Sequence, residues 1–441
     1  MPRFRLRAQV LNALKKINNK RRQDKLVREV LLDSDDHVSR SDDDSSVEEI
    51  DDDEFLLVEE MKDVQLIALE NAVKGMRYLF REKSYRNRRE VFNLEDTLSH
   101  DSVLFNDEEF LKNFRISRYS FHWLLQLFID SPELASVGTK ERLPPALHLL
   151  LFLKKVGSEG VSANDSQLAQ FFGIGKGTVP IMFRRMKSAI LSLKEDVISW
   201  PTAEEKEIMK LETKAKYGFQ KCIGIIDGTI IILSQRPDRY GDSYWCRKCC
   251  YSLNVQVICD DKRKVLYYYG GWPGSVHDNR AWKNCRIFKS ASTYFGEGEY
   301  LVGDCAYSKC NVMVQTFKKL PGISNLTQEQ EFFNTRLGSL RVKSEHCIGI
   351  LKNRFPIIRR TNARIRDQND VMEVMDVFGC CAILHNLLID INEDIPIEWL
   401  RNIDNGHYWT SDYDGNDETD NIDNDRRQLV FDSYINDYYL N

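Results

Sequence analysis

The spacing of apolar positions separates a helical region from a region of strands. From about residue 106 to 195 apolar side chains recur at helical spacing. Phe121, Leu124, Leu125 and Leu127 follow Ser117, and Leu147 to Leu153 follow Pro144-Pro145. Next comes Ser166-Gln-Leu-Ala-Gln-Phe-Phe-Gly-Ile-Gly-Lys-Gly-Thr178-Val179, which runs on to Arg184, Arg185 and Ile190. This reads as a helix, a short turn at Gly173 and a second helix, the sequence shape of a helix-turn-helix. Pro180 falls in the first turn of the second helix, where its missing N–H costs little. Lys176, Arg184, Arg185 and Lys187 are candidates to face DNA phosphates. The competing reading is a helical packing module that never touches nucleic acid.

Beyond residue 220 the period becomes that of strands. Cys222 to Leu233 is an Ile-rich run interrupted only by Asp227-Gly228-Thr229, and Leu253 to Cys259 and Lys264 to Tyr269 read as two more strands. A helix is predicted to begin near His277. Tyr300-Leu301-Val302 is a short buried strand ending at Gly303-Asp304, and helices follow over about 328–354 and 370–390. Strands, a helix, a strand and then helices is an α/β order. It suits a mixed sheet whose first and fourth strands lie side by side.

The flanks are different. Residues 1–30 read as a basic amphipathic helix, with Lys15-Lys16 and Lys20-Arg21-Arg22 as a candidate nuclear import signal. Residues 55–82 look helical, with Leu56, Leu57, Met61, Val64, Ile67 and Ala68 near helical spacing. The expected organisation is an N-terminal arm over 1–54, a helical lead-in over 55–105, a helix-turn-helix domain over 106–200, an α/β domain over 215–392 and an acidic tail over 400–441. The formal charge of the 441-residue chain is −5, but residues 33–54 carry net −11 and residues 404–425 net −8, so the remainder stands at +14. A basic body with acidic arms suits a protein that binds phosphates.

The chain has no uncharged apolar run of the roughly 18 residues that a membrane span needs. Its first residues lack the apolar block of a secretory signal, and an intracellular protein is expected. The 11 cysteines are odd in number and scattered, unlike a disulfide framework. Cys246 and Cys249 have the gap of a zinc half-site, but no second half-site follows, and reduced thiols are expected.

Four acids stand where a core would not want them. Asp227 interrupts an apolar strand, Asp278 lies at a strand-to-helix junction, Asp304 ends a buried strand, and Glu345 sits on the helix Arg341-Val-Lys-Ser-Glu-His-Cys-Ile-Gly-Ile-Leu-Lys352. Each has a local alternative: a turn at Asp227-Gly228, a helix N-cap at Asp278, a turn cap at Asp304, an ion pair from Glu345 to Arg341. Together they have the character of a carboxylate cage for hard divalent cations, which polarise phosphates and generate nucleophiles. His277 and His346 adjoin these acids, but imidazole suits zinc better than magnesium, so they are not assigned as ligands. His385 reads as core.

The stretches Ile226-Asp-Gly-Thr229, Asn254-Val-Gln256, Gly271-Trp-Pro-Gly-Ser-Val-His-Asp278, Gly303-Asp304 with Tyr307, Phe333-Asn334, Glu345 to Lys352 with Arg354-Phe355, and Leu384-His-Asn386 resemble the nuclease domain of PIF/Harbinger transposases. The resemblance covers about residues 215–392. It implies an RNase H-like mixed sheet with flanking helices, preceded by an all-helical helix-turn-helix domain. It implies DNA phosphodiester cleavage, with strand transfer if the chain is a transposase. The DDE triad would be Asp227, Asp304 and Glu345, with Asp278 as a further metal ligand and Mg²⁺ as the metal, Mn²⁺ substituting. Arg247 and Lys248 keep a basic step of the family pattern, and Lys352 and Arg354 are candidates to reach DNA. The resemblance also implies a Myb-like DNA-binding partner that aids nuclear entry; a homodimer is the alternative way to extend DNA reading. The competing function is a catalytically silent DNA-binding regulator that uses the helix-turn-helix.

Overall fold

A run rich in β-branched Ile suits a strand covered on both faces. Accordingly Cys222–Leu233 forms β1, a central strand of a seven-stranded mixed sheet. The computed structural model describes residues 11–21, 23–24, 62–69, 71, 92–100, 102, 105–135, 143–317, 326–396, 399 and 426–438. The chain divides into two units, Met1–Asn87 and Arg88–Asn441. In the first, residues 11–21 and 62–69 are helical, so Lys15, Lys16 and Lys20 lie on a helix, and Arg21 pairs with Asp63 at 3.2 Å. Arg22, the acidic stretches 33–54 and 404–425 and the flanks of the helix expected over 55–82 lie outside the described residues.

The second unit opens with helices. They are α1 (Leu94–Leu98), α2 (Asp107–Phe114), α3 (Arg118–Phe128), α4 (Pro145–Val156), α5 (Asp165–Phe171), α6 (Thr178–Leu191), α7 (Lys194–Val197) and α8 (Ala203–Tyr217). Polar caps start several of them: Asn106 and Thr202 each form a reciprocal capping box with the Glu three residues on. Helix α4 is buried on nearly every side, as its Leu-rich sequence requires. Helices α5 and α6 flank a turn in which Gly173 takes φ 61°, and Pro180 falls in the first turn of α6.

Lys187 corrects one expectation. It does not face outward: it is 5% exposed, and its Nζ lies 2.5 Å from Glu373 and 3.1 Å from Asp376. It pins α6 to a later helix and is not a phosphate contact. Lys176 and Arg184 are exposed and Arg185 is half-buried.

After β1 come β2 (Trp245–Cys246), β3 (Cys250–Cys259), β4 (Val265–Pro273), α9 (Asp278–Asn284), α10 (Arg286–Lys289), α11 (Ala291–Tyr294), β5 (Tyr300–Gly303), β6 (Met313–Gln315), α12 (Gln328–Arg354), β7 (Arg360–Thr361) and α13 (Gln368–Asp390). Strand β1 pairs antiparallel with β3 and parallel with β5 and β7, β3 also pairs with β4 and β2, and β6 extends the sheet from β5. The first long strand and the short strand ending at Gly303 are thus neighbours, as the element order predicts.

Two cores lie on opposite faces of this sheet. Ile225, Ile231, Val255, Val257 and Val302 pack with Leu340, Cys347 and Leu351 of α12 and with α13. Ile223, Ile226, Ile258 and Leu301 pack with Trp282 of α9. Among the described residues α13 is the one helix long and apolar enough to cross a membrane, and 72% of its most apolar window is buried in this fold.

The expected acidic tail holds a further element, α14 (Arg426–Tyr438). Tyr434 stacks on Phe219 with ring centroids 4.8 Å apart, and Phe431 meets Phe333 edge-on at 5.4 Å. Replacing Tyr434 with alanine removes a buried ring. The expected loss is about 3 kcal/mol of stability, read as a lower urea midpoint with an unchanged slope.

Candidate active site

The parallel ladder sets two acids level. Ile225 lies beside Val302, so two residues further Asp227, in mid-β1, comes alongside Asp304, which follows β5. Both acids share the parity of Ile225, Ile231 and Val302, and strand alternation turns them toward α12. Glu345 stands on α12. Arg341, one turn earlier, reaches two acids at once: its Nη1 is 3.8 Å from Asp304 Oδ1 and its Nη2 is 3.7 Å from Glu345 Oε1.

The set runs from interior to solvent. Asp227 is 4% exposed, whereas the side chains of Asp304 and Glu345 are 18% and 36% exposed. The Gly228 amide donates to Asp227 Oδ1 at 2.8 Å, and the Cys305 amide to Asp304 Oδ1 at 2.5 Å. Burial pushes the Asp227 carboxyl up to about 7; Arg341 opposes the shift, and the charges of Asp278, Asp304 and Glu345 add to it. Several negative charges bearing on one buried carboxyl make a place that favours added positive charge. The donors are carboxylate oxygens, which hard divalent cations prefer. As placed, no three His, Cys, Asp or Glu side chains among the described residues are grouped to hold a metal ion; Asp304 and Glu345 share the Arg341 guanidinium.

Asp278 is near these acids but does not join them. Gly228, Asn254 and Gln256 have the opposite strand parity and face the side that carries α9. There Asp278 Oδ1 accepts from Asn254 Nδ2 at 2.7 Å and from Gln256 Nε2 at 2.6 Å, and Gln256 Oε1 accepts from the Tyr307 hydroxyl. A Cβ on Gly228 would overlap the Asp278 carboxylate. Asp278 therefore lies against the backbone of β1, across the strand from Asp227. The expected N-cap also shifts by one residue: His277 is the cap and Asp278 the first helical residue.

Two basic candidates are corrected. Lys352 is 2% exposed and donates to the Ile230 carbonyl at 2.8 Å, tying α12 to β1. Arg354 is 1% exposed, with its guanidinium 5.8 Å from the Trp399 ring centroid. Neither reaches a DNA backbone. Arg247 is exposed and Lys248 half-buried, and Arg247 Nη2 lies 3.2 Å from His277 Nδ1. His385 is fully buried and its Nε2 lies 2.9 Å from the Arg263 carbonyl, as a core histidine.

Comparison with known proteins bears on the same residues. Residues 226–386, which hold Asp227, Asp278, Asp304 and Glu345, match the family described as DDE superfamily endonuclease. The chain carries a DDE endonuclease domain. It is 23% identical over 315 residues to the protein Antagonist of Like Heterochromatin Protein 1 of Arabidopsis thaliana, covering 66% of this chain and 76% of that one. An ALP1-like protein of Arabidopsis thaliana is 25% identical over 298 residues, covering 64% of this chain and 70% of the relative. HARBI1 of Mus musculus, named as a candidate nuclease, is 20% identical over 232 residues, covering 52% of this chain and 64% of the relative. No solved structure matches the chain.

The sequence left parts of this candidate site unread. The bridge from Arg341 to Asp304 spans two elements, whereas helical spacing revealed only its contact with Glu345. The support of Asp278 by Asn254 and Gln256 had a visible signal: two amides at alternate positions in the otherwise apolar strand Leu253–Cys259. An amide at a buried strand position needs a partner.

Proposed function

We propose that the DDE endonuclease domain cleaves DNA phosphodiesters, with Asp227, Asp304 and Glu345 as the catalytic carboxylates around a divalent metal ion. The observation that carries this reading is the convergence of mid-β1, the end of β5 and α12 on one buried carboxyl. Endonucleases of this class work with divalent metals, and Mg²⁺ with Mn²⁺ as substitute is the assignment here. Bound between these acids, such an ion would polarise the scissile phosphate and acidify an attacking water.

The chain's own groups set up that chemistry. Asp227 anchors the buried end of the site, where burial and the neighbouring acids raise its carboxyl to about 7. Glu345 and Asp304 form the solvent-facing end, where a phosphate can approach. Arg341 is placed to turn from the acids to the phosphate charge. Asp278 is a positioning residue: held by two amides, it backs the Asp227-Gly228 step and adds to the negative field.

The exposed Lys176 and Arg184 and the half-buried Arg185 around α6 are proposed to hold DNA backbone as a helix-turn-helix. In the full chain, changing Arg184 and Arg185 to Glu is expected to flatten the slope of log K against log salt by about 1.8, as two lost phosphate contacts require. Equal slopes would remove α6 from the DNA surface. Nuclear residence, a Myb-like partner or a homodimer complete the reading, in which one small module reads too few base pairs alone. Whether the chain works as a transposase or as a host nuclease is decided by cutting and joining assays on element ends.

A second reading is a silent DNA-binding regulator. It draws on the Arg341 bridge between two of the acids and on the name of the Arabidopsis relative as an antagonist of a heterochromatin protein. Nicking of supercoiled plasmid in Mg²⁺ against EDTA separates the two. Metal-dependent nicking supports the nuclease; DNA binding without nicking in Mg²⁺ or Mn²⁺ supports the regulator.

A further inference from the structure

The excursion between β1 and β3 carries features that folding alone does not require. Tyr240 and Cys249 take positive φ angles of 52° and 54°, a region unfavourable for residues with a Cβ. Tyr240 is 85% exposed and Trp245 is 48% exposed. Trp245 itself is extended, at φ −74°, and two large aromatic rings held in water point to a ligand more than to a core.

Cys246 is buried, while Trp245 beside it on β2 and Arg247 in the turn that follows are both exposed. Trp245 pairs with Tyr251 across the hairpin, their rings edge to face with centroids 4.9 Å apart. That contact holds the indole at one edge and leaves about half of it uncovered.

The hairpin is fixed to the segment that leads into Asp278. The Ser275 amide and hydroxyl both donate to the Ser243 carbonyl, at 3.3 and 2.6 Å. Arg247 Nη2 stands 3.2 Å from the ring of His277, the residue before Asp278. The charges of Lys248 and Arg360 both bear on Cys250 at the hairpin base. The two acids in this excursion are both paired, Asp242 with Arg236 at 2.9 Å and Asp238 with Arg364 at 3.1 Å. An exposed ring flanked by cations is the chemistry that holds single-stranded nucleic acid: cations track the phosphates, and the ring takes a base face.

We infer that the β2–β3 hairpin is a strand-binding platform, on which Trp245 stacks an unpaired DNA base beside the cut while Arg247 and Lys248 hold its phosphates. The inference rests on the DNA-cleaving reading of the neighbouring carboxylates and adds a preference: DNA with unpaired bases over blunt duplex. Stacking accepts any base, so the platform senses opened DNA and not sequence.

The test uses the full chain in EDTA, where binding is read without cleavage, and two fluorescent probes of equal length: a forked duplex with single-stranded arms and a blunt duplex. Wild type is expected to favour the fork. Trp245→Ala is expected to weaken fork binding about tenfold and leave blunt-duplex binding unchanged, with Trp245→Phe keeping most of the affinity. Thermal midpoints should be equal, since the ring is half in water. Arg247→Gln should weaken fork binding and lower its salt dependence. Trp245→Ala binding the fork as wild type does, or losing both probes equally, overturns the platform while leaving DNA cleavage standing. Wild type binding neither probe overturns the platform together with the DNA-cleaving reading.

Discussion

Asp227→Ala, Asp304→Ala and Glu345→Ala will each lower plasmid nicking in Mg²⁺ by about a thousandfold or more, with the protein still folded. The reason is cooperative. Asp227 and Asp304 are level across the β1–β5 ladder, Glu345 completes the set from α12, and losing one leaves the others repelling without a shared cation. Pairs of these changes should cost little more than one, because groups acting as a unit are not additive. Asp278→Ala should cost less, about ten- to a hundredfold, the range for a group that acts through its neighbours. Asp278→Asn should recover part of the loss by keeping a carbonyl oxygen for the Asn254 and Gln256 amides. Near-wild-type nicking by any of the three alanine variants would remove that residue from the site.

Lys352→Met will stabilise the protein at pH 6, and the gain will fade as the pH approaches 10. Burial, helped by the charges of Lys248 and Arg359, pulls the Lys352 ammonium down from 10.5 to about 7, against a weak pull from Asp227. A base whose folded pKa lies below its unfolded value weakens the fold. The penalty is full below pH 7, where the chain must bury a cation, and it is relieved as the pH rises toward 10.5, where the unfolded lysine is neutral too. The shift corresponds to about 5 kcal/mol, of which the lost bond to the Ile230 carbonyl takes back about 1 kcal/mol. Urea unfolding of both proteins from pH 6 to 10 measures the difference. A gain that did not depend on pH would mean that packing, not charge, sets the effect.

The fold was legible wherever one element's own pattern determined it. Cys222–Leu233, Tyr300–Gly303 and the helices around Glu345 and Leu384 are long or apolar enough to announce themselves. The two-residue strand Trp245–Cys246 is too short to show a period. Helix α14 follows an acidic stretch, and its Tyr434 and Ile435 gain meaning only against Phe219 and Phe333. The misread cations share one cause. Lys187, Lys352 and Arg354 sit at helical spacings that look exposed, yet another helix or the sheet covers them, and helix periodicity does not say how many faces are covered. Asp278 follows the same logic: its place in the sequence showed that it was near the acids but not which side of β1 it occupied.

The glycine after Asp227 has a consequence for how such genes decay. Any side chain at Gly228 displaces the Asp278 carboxylate, so on the proposed nuclease reading one base change would weaken the site while every acid stays in the reading frame. Counting acids across copies of such a gene would then overstate how many still encode a working nuclease. An intact Gly228 should be required alongside the acids before a copy is scored as competent, and a copy with alanine there should bind DNA but nick it poorly.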